Sequence, residues 1–346
     1  MTVDLFVPGR LCLFGEHSDW AGAYRRTHPS LSPGYCLVAG TDQGLRATAA
    51  GADVVELATV LPDGSRRTAP PIAPAVPALD AVARGGGFFS YAAGVAAEIV
   101  ARFGTRGLRL DVVTNDLPVG KGLSSSAAIC VLVARAFGRV HGLGLSVRDE
   151  MEIAWAGERR AGSQCGLMDQ VCAYGRATTF LTFDGARFDV EPVTVGGAIH
   201  LLVVDLRRAK DTRRILADLN ACFPEAQGPV AAGVREALGP LKARIVVEAR
   251  GALTHGDAAA LGALMREAQF TFDRLIAPAC PELRAPRLHE VLAHPALREL
   301  GWGGKGVGSQ GDGCAQVVAR GAAERDELAT ALTRDFDVAC LSLTVA

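Results

Sequence analysis

The 346-residue chain has no surplus of either charge: 36 Lys and Arg stand against 37 Asp and Glu, a formal charge of −1, with no long run of one sign. A partner held mainly through phosphate neutralisation asks for a basic surplus or patch, so nucleic acid is not an expected partner. No stretch of 18 uninterrupted apolar residues occurs, and MTVDLFVPGR lacks the basic and long apolar regions of a signal peptide. The expectation is a soluble, unexported, cytoplasmic protein without a membrane partner. Nine cysteines are scattered with no Cys-x-x-Cys pair, which argues against a disulfide framework or a zinc site. No internal repeat is evident. What is abundant is glycine: 40 residues, about 12% against an average near 7%, with no Gly-X-Y period. That excess belongs in turns or where backbone must approach something closely.

The pattern is that of a two-domain α+β chain, with the boundary near 190–197, giving 1–193 and 194–346. Residues 3–14 and 35–60 read as strands, and 62–87 as a Pro- and Ala-rich loop. A helix is expected over 88–103, a strand over 108–113, and helices from the Ser124 region to Gly142 and over 147–162. Strands follow at 177–190 and 200–205. Helices are expected at 213–221, 230–250, 257–275 and 286–299, then strand 313–319, helix 324–334 and strand 338–345.

Four segments carry chemistry. In Leu117-Pro-Val-Gly-Lys-Gly-Leu-Ser-Ser-Ser-Ala-Ala128, Gly120 and Gly122 permit a tight turn with exposed amides, and three serines sit where a helix begins. A helix start offers orphan N–H groups and positive dipole to a phosphate. Lys121 can neutralise anionic oxygens, and one serine hydroxyl can ligate Mg²⁺. Gly122 follows Gly120-Lys121, so this is not the Walker A loop.

The second segment, Trp302 to Cys314, contains Gly306-Val-Gly308-Ser-Gln-Gly311. It matches Gly-x-Gly-x-x-Gly by letter but leads into a strand, so a glycine loop approaching a ligand or the other domain is expected, not a dinucleotide site. The third, Val7 to Trp20, gathers Arg10, Glu16, His17, Ser18 and Asp19 around a short apolar run. The fourth, Gly157 to Gln170, places Glu158 near a helix end and Asp169 in a polar turn. A carboxylate so positioned can serve a reacting hydroxyl, and a second can hold Mg²⁺.

In their order along the chain the four segments resemble the GHMP small-molecule kinases, among them galactokinase, homoserine kinase, mevalonate kinase and phosphomevalonate kinase. LPVGKGLSSSAA is similar to the family's phosphate loop, PGRLCLFGEHSDW to a galactokinase-type opening, and CGLMDQ to the segment bearing the galactokinase catalytic aspartate. The resemblance implies an N-terminal α/β domain with the phosphate loop, a ferredoxin-like C-terminal domain, and ATP- and Mg²⁺-dependent phosphorylation of a hydroxyl on a small metabolite. A sugar or acidic sugar derivative is the expected acceptor. By the same resemblance Asp169 and Arg10 are catalytic. Pro118, Gly120, Lys121, Gly122, Leu123, Ser124, Ser125, Ser126 and Ala127 bind the nucleotide, and Ser126 and Glu158 hold Mg²⁺. Glu16, His17, Asp19, Arg25 and Gly308 face the substrate.

Two departures stand out. Ser309, Gln310 and Asp312 occupy positions that are small in the family, and 21–33 is an insertion bringing Arg25, Arg26 and His28 toward the substrate segment. Cations there would suit an acidic or phosphorylated acceptor. Two alternatives are a mevalonate-type kinase, for which Leu13-Phe14-Gly15-Glu16-His17 also speaks, and a ligand-sensing regulator that keeps the fold without catalysis. The state of association, monomer or homodimer, is left open.

Overall fold

The computed structural model describes residues 2–61, 63–117 and 122–346. Its first elements are β1 (Thr2–Phe14), α1 (Ser18–Ala23), β2 (Gly34–Ala52), β3 (Glu56–Val60), β4 (Arg66–Thr68), α2 (Val76–Arg84), α3 (Ser90–Phe103) and β5 (Gly107–Asn115). There follow α4 (Ser125–His141), α5 (Val147–Arg160), a 3₁₀ turn (Asp169–Tyr174), β6 (Thr178–Asp184), β7 (Arg187–Pro192) and β8 (Ile199–Asp205). The remainder is α6 (Thr212–Ala221), α7 (Pro229–Glu236), α8 (Lys242–Thr254), α9 (Ala258–Leu275), α10 (Pro286–Leu292), α11 (Pro295–Leu300), β9 (Gly301–Gly306), β10 (Cys314–Ala319), α12 (Ala322–Asp335) and β11 (Ala339–Val345). No helix among the described residues is long and apolar enough to cross a membrane. The α+β class is as the sequence indicates.

The chain forms two compact units that interleave: residues 1–10 with 40–176, and residues 11–39 with 177–346. A single boundary at 193/194 differs from this division, because a stretch of the N-terminal third belongs with the C-terminal unit.

In the first unit, β5 pairs antiparallel with the later part of β2, from Leu45↔Asn115 to Ala52↔Gly107. On its other side β5 pairs in parallel with β3, Glu56↔Arg109 to Thr59↔Val112. A parallel pair needs a crossover, and α2 and α3 supply it. Residues 62–87 are therefore not all loop: Pro77 opens α2, whose buried Leu79 and Ala83 lie four residues apart on one face. Helices α3, α4 and α5 pack together. A Cβ on Gly94 of α3 would lie 2.3 Å from the Gly157 carbonyl oxygen of α5, so these helices meet backbone to backbone. The half-buried Arg135 of α4 pairs with Glu150 of α5 (Nη2–Oε2 2.7 Å) and donates to the carbonyls of Ala173 (2.7 Å) and Phe6 (3.1 Å). One guanidinium thus ties β1, both helices and the 3₁₀ turn together.

In the second unit, β6 pairs antiparallel with Gly34–Ala39 of β2 and with β7. A separate four-stranded antiparallel sheet has the order β11-β8-β10-β9. With helices between β8 and β9 and between β10 and β11, this is the βαββαβ ferredoxin-like plan. Leu202, Val204, Leu288, Val317, Leu328 and Leu332 form the core between that sheet and helices α10 and α12. The glycines of 301–306 make β9 rather than a loop. Without Cβ atoms there, α9 lies directly on the strand: a Cβ on Gly262 would be 2.4 Å from the Trp302 Cβ. The expected helix over 230–250 breaks at Gly239-Pro240, where Gly239 adopts φ −99°, ψ −111° and proline withholds an N–H. The one over 286–299 breaks before Pro295, with His294 extended.

Gly94→Ala tests the helix contact. Helix propensity alone would favour alanine by about 1 kcal/mol, but the carbonyl at 2.3 Å leaves no room for its methyl. We expect a net loss of about 1–3 kcal/mol in a urea denaturation series; a gain would show that α3 and α5 separate freely.

Candidate active site

Arg10 lies near the end of β1 with 4% of its side chain exposed. Gly9 allows the approach: a Cβ there would fall 2.8 Å from the Leu123 carbonyl oxygen, which accepts from the Arg10 amide at 3.1 Å. The guanidinium donates through Nη1 to the Gly122 carbonyl (2.7 Å) and through Nη2 to the Asp169 carboxylate. Asp169 keeps 28% exposure, so the carboxylate is the member of the pair that a ligand can reach.

Behind it, Glu158 at the end of α5 is buried, accepts from the Gln170 amide (2.7 Å) and hydrogen-bonds the Ser126 hydroxyl. Burial, followed by the charge of Asp169, pushes its carboxyl up to about 7. Two acids and a serine hydroxyl therefore face one another with little room for two negative charges, an arrangement a divalent cation would relieve. At the start of α4, Ser124 adopts φ +55° and its Oγ is buried without a hydrogen-bond partner among the described residues. Gly122 has φ +76°. Leu123 and Ala127 are buried supports, and Ser125 opens the helix. The expected nucleotide residues Pro118, Gly120 and Lys121 lie outside the described residues. Also in this unit, an apolar cleft of about 210 Å³ is lined by Leu57, Phe89, Tyr91, Ala92, Leu110 and Ile129 and reaches Ser125 and Ser126.

The second unit holds the other expected residues. Glu16 and His17 are buried. Lys305 of β9, itself 1% exposed, donates to the Glu16 carboxylate and to the Gly306 carbonyl (2.9 Å). Lys242, the first residue of α8, donates to the Glu16 carbonyl oxygen. Burial lowers the Lys242 ammonium below the ordinary lysine range, with Glu16 opposing that shift. Trp20 donates its indole N–H to His17 Nδ1 (3.1 Å), so the imidazole proton sits on Nε2. Burial and then the positive charges of Lys242, Lys210 and Lys305 bring His17 down to about 3, with the Ser309 backbone opposing.

Asp19 accepts from the Trp20 amide (2.9 Å). Arg25 is engaged otherwise than expected: its donors go to Asp184 of β6 (2.5 Å) and to the carbonyls of Pro29 (2.9 Å) and Leu31, which folds 18–31 against its own unit. His28 bonds Glu225 (2.9 Å). Gly308 has φ +62° in the turn after β9, held there as Lys210 donates to the Gln310 (2.9 Å) and Val307 (3.4 Å) carbonyls. Asp312 in the same turn accepts from Leu288 N (2.9 Å) and so caps α10.

Sequence reasoning missed Lys242, the role of Lys305 and the supporting Gln170. Lysines in helix-forming stretches usually lie on solvated faces; the available signal for Lys242 was the Gly239-Pro240 break just before it.

His17 yields a pH test. Its folded form stays neutral to about pH 3, whereas the unfolded chain takes up the proton below about 6.5, so unfolding binds the proton and stability falls as pH drops. The contribution is about 1.4 kcal/mol per pH unit between those values. We expect the His17 ring resonances not to titrate between pH 5 and 8, and His17→Gln to flatten the stability profile below pH 6.5; an ordinary titration near 6.5 would contradict the buried neutral ring.

The geometry has counterparts among known proteins. Residues 90–176 match the family described as the GHMP kinases N terminal domain. A galactokinase of Roseiflexus sp. (strain RS-1) is 31% identical over 186 residues, 45% of this chain and 48% of that protein. One of Mycobacterium tuberculosis (strain ATCC 25618 / H37Rv) is 30% identical over 201 residues, 56% and 49% respectively. The chain spans about half the length of the curated relatives it matches. Among solved structures, a Lactococcus lactis galactokinase complexed with galactose superposes with TM-score 0.73 at 17% identity, covering 99% of this chain and 93% of the other. A Methanococcus jannaschii mevalonate kinase superposes with TM-score 0.71 at 15% identity, covering 99% and 98%. Residues 90–176 thus match the GHMP kinases N terminal domain, and the chain has the fold that the galactokinase and mevalonate kinase structures share.

Proposed function

We propose that the protein is an ATP-dependent kinase that transfers the γ-phosphoryl group to a hydroxyl of a sugar or sugar derivative, with Mg²⁺. The observation that carries this reading is the bridge made by Arg10, one guanidinium holding both the Gly122 carbonyl and the Asp169 carboxylate. Phosphoryl transfer asks a protein mainly for positioning and charge stabilisation, and this bridge ties the phosphate turn to the carboxylate that meets the acceptor. The start of α4, with the unpartnered Ser124 hydroxyl, suits the anionic phosphates. The neighbouring apolar cleft suits a nucleobase. The galactokinase relatives support a sugar as acceptor.

In the reaction the acceptor oxygen forms a bond to the γ-phosphorus while the bond to the ADP bridging oxygen breaks. Asp169 holds the acceptor hydroxyl and takes its proton as the new bond forms. Arg10 keeps the Asp169 carboxylate aimed, and its charge lies where negative charge spreads over the transferring group. Glu158 and Ser126 are oxygen donors of the kind Mg²⁺ takes together with substrate phosphates, and the crowding of Glu158 against Asp169 fits a cation between them. When bound, Mg²⁺ neutralises phosphate charge. Gln170 fixes the Glu158 carboxylate from behind.

Asp169→Asn is expected to lower turnover by at least about a hundredfold while leaving nucleotide affinity nearly unchanged, measured by coupled ADP release and by calorimetry; near-normal turnover would remove Asp169 from the chemistry. Glu158→Gln should raise the Mg²⁺ concentration needed for half-maximal rate by about tenfold or more. An unchanged Mg²⁺ requirement would place the ion elsewhere.

A further inference from the structure

We propose that the lysine pair of the second unit, the half-buried Lys242 and the buried Lys305, recognises an anionic group on the acceptor, a carboxylate or a phosphate ester, so that the substrate is an acidic sugar derivative. This deepens the kinase reading and rests on it for the word substrate, though not for the anion site itself.

The charges around Glu16 do not balance. Lys305 donates to its carboxylate and Lys242 to its main-chain carbonyl, so two ammonium groups stand against one carboxylate. His17 adds no negative charge and is neutral. Glu16 and Lys305 are buried and Lys242 is half-buried, and of the two ammonium groups only that of Lys305 donates to the carboxylate among the described residues. An uncompensated buried ammonium is costly, and apolar residues of similar volume usually serve a core as well or better. Two lysines kept there make sense when a negative charge arrives to balance them.

The surroundings hold several donors beside one unused acceptor, the Gln310 side-chain oxygen, which is buried without a hydrogen-bond partner among the described residues. The imidazole N–H of His17 stands beside the lysines, and Gln310 spends its side-chain N–H on the Gly306 carbonyl (3.3 Å). Glu16, Lys242, Lys305 and Gln310 line a partly open cavity of about 20 Å³, whose other walls include Phe14 and Phe272. That volume admits about one water-sized group. A single carboxylate or phosphate oxygen fits; a sugar ring does not, and would remain outside with its hydroxyls. Apolar walls keep the local dielectric low, which strengthens an ion pair formed there. Arg25 of the insertion does not compete for this role, because it spends its donors on Asp184, Pro29 and Leu31.

The test is calorimetric binding of a hexuronate, a hexose phosphate and the matching neutral hexose to the nucleotide-free protein at constant ionic strength. We expect at least one acid to bind about tenfold or more tightly than the neutral sugar. The responding acid identifies the group, carboxylate or phosphate. Lys242→Met should erase that preference while Tm stays level or rises, since a half-buried charge has been removed. A merely structural lysine would do the opposite, lowering Tm and leaving the preference intact. Equal affinities for acids and neutral sugar, or a preference that survives Lys242→Met, overturns the proposal. If the Met variant does not fold, the wild-type comparison decides alone. ADP release over the same panel separates the two readings: acids that bind without turnover sink the kinase assignment and leave the anion site, whereas turnover of neutral sugars without any acid preference does the reverse.

Discussion

Arg10 is a guanidinium placed in the interior of its unit, and a permanently charged group so deeply buried must be met on every side by acceptors. Two of its acceptors come from positions 112 and 159 residues further along the chain. The glycine before it, the turn at Gly122 and Leu123, and the 3₁₀ turn at Asp169 all answer that demand. So does Arg135, which fixes the same 3₁₀ turn to β1 from the far side through the Ala173 and Phe6 carbonyls. Two arginines thereby convert separate pieces of sequence into one rigid arrangement of carboxylate, helix start and turn.

The second unit solves a related problem with a different balance. There the cations are lysines, one buried and one half-buried, whose ammonium can respond to burial as a guanidinium cannot, and they outnumber the carboxylate between them. The first unit pairs each of these arginines with a carboxylate, Arg10 with Asp169 and Arg135 with Glu150, whereas in the second Lys242 donates to a main-chain carbonyl. A closed balance suits residues that must hold a fixed geometry; an open one suits recognition of something from outside.

Much of this was readable from residue order alone. The Ser-Ser-Ser-Ala-Ala start of α4 and strands β8, β10 and β11 announce themselves by local pattern, because helix starts and half-buried strands are short-range phenomena; Glu158 and Asp169 stood out through the family resemblance. What escaped depends on partners distant in sequence. The 301–306 glycines read as a loop, since nothing local shows that α9 will lie on them and turn bare backbone into a strand. Arg25 read as a substrate-facing cation because Asp184, its partner, stands 159 residues away. Lys242 read as an ordinary helical lysine until the break at Gly239-Pro240 made it the first residue of its own helix. The glycine excess itself proved to have two uses: positive φ at Gly122 and Gly308, and helix against helix or strand at Gly94, Gly157 and Gly262.

The interleaving of the two units bears on how the chain can be made. Gly34–Ala39, synthesised early, pairs with Thr178–Phe183, so as the polypeptide leaves the ribosome those residues wait for more than a hundred others before their hydrogen bonds can form. Residues 40–176 stand between the waiting segment and its partner and can assemble meanwhile as a compact insert. Vectorial synthesis therefore favours completing the first unit first, with the second closing only when the second half of the chain arrives.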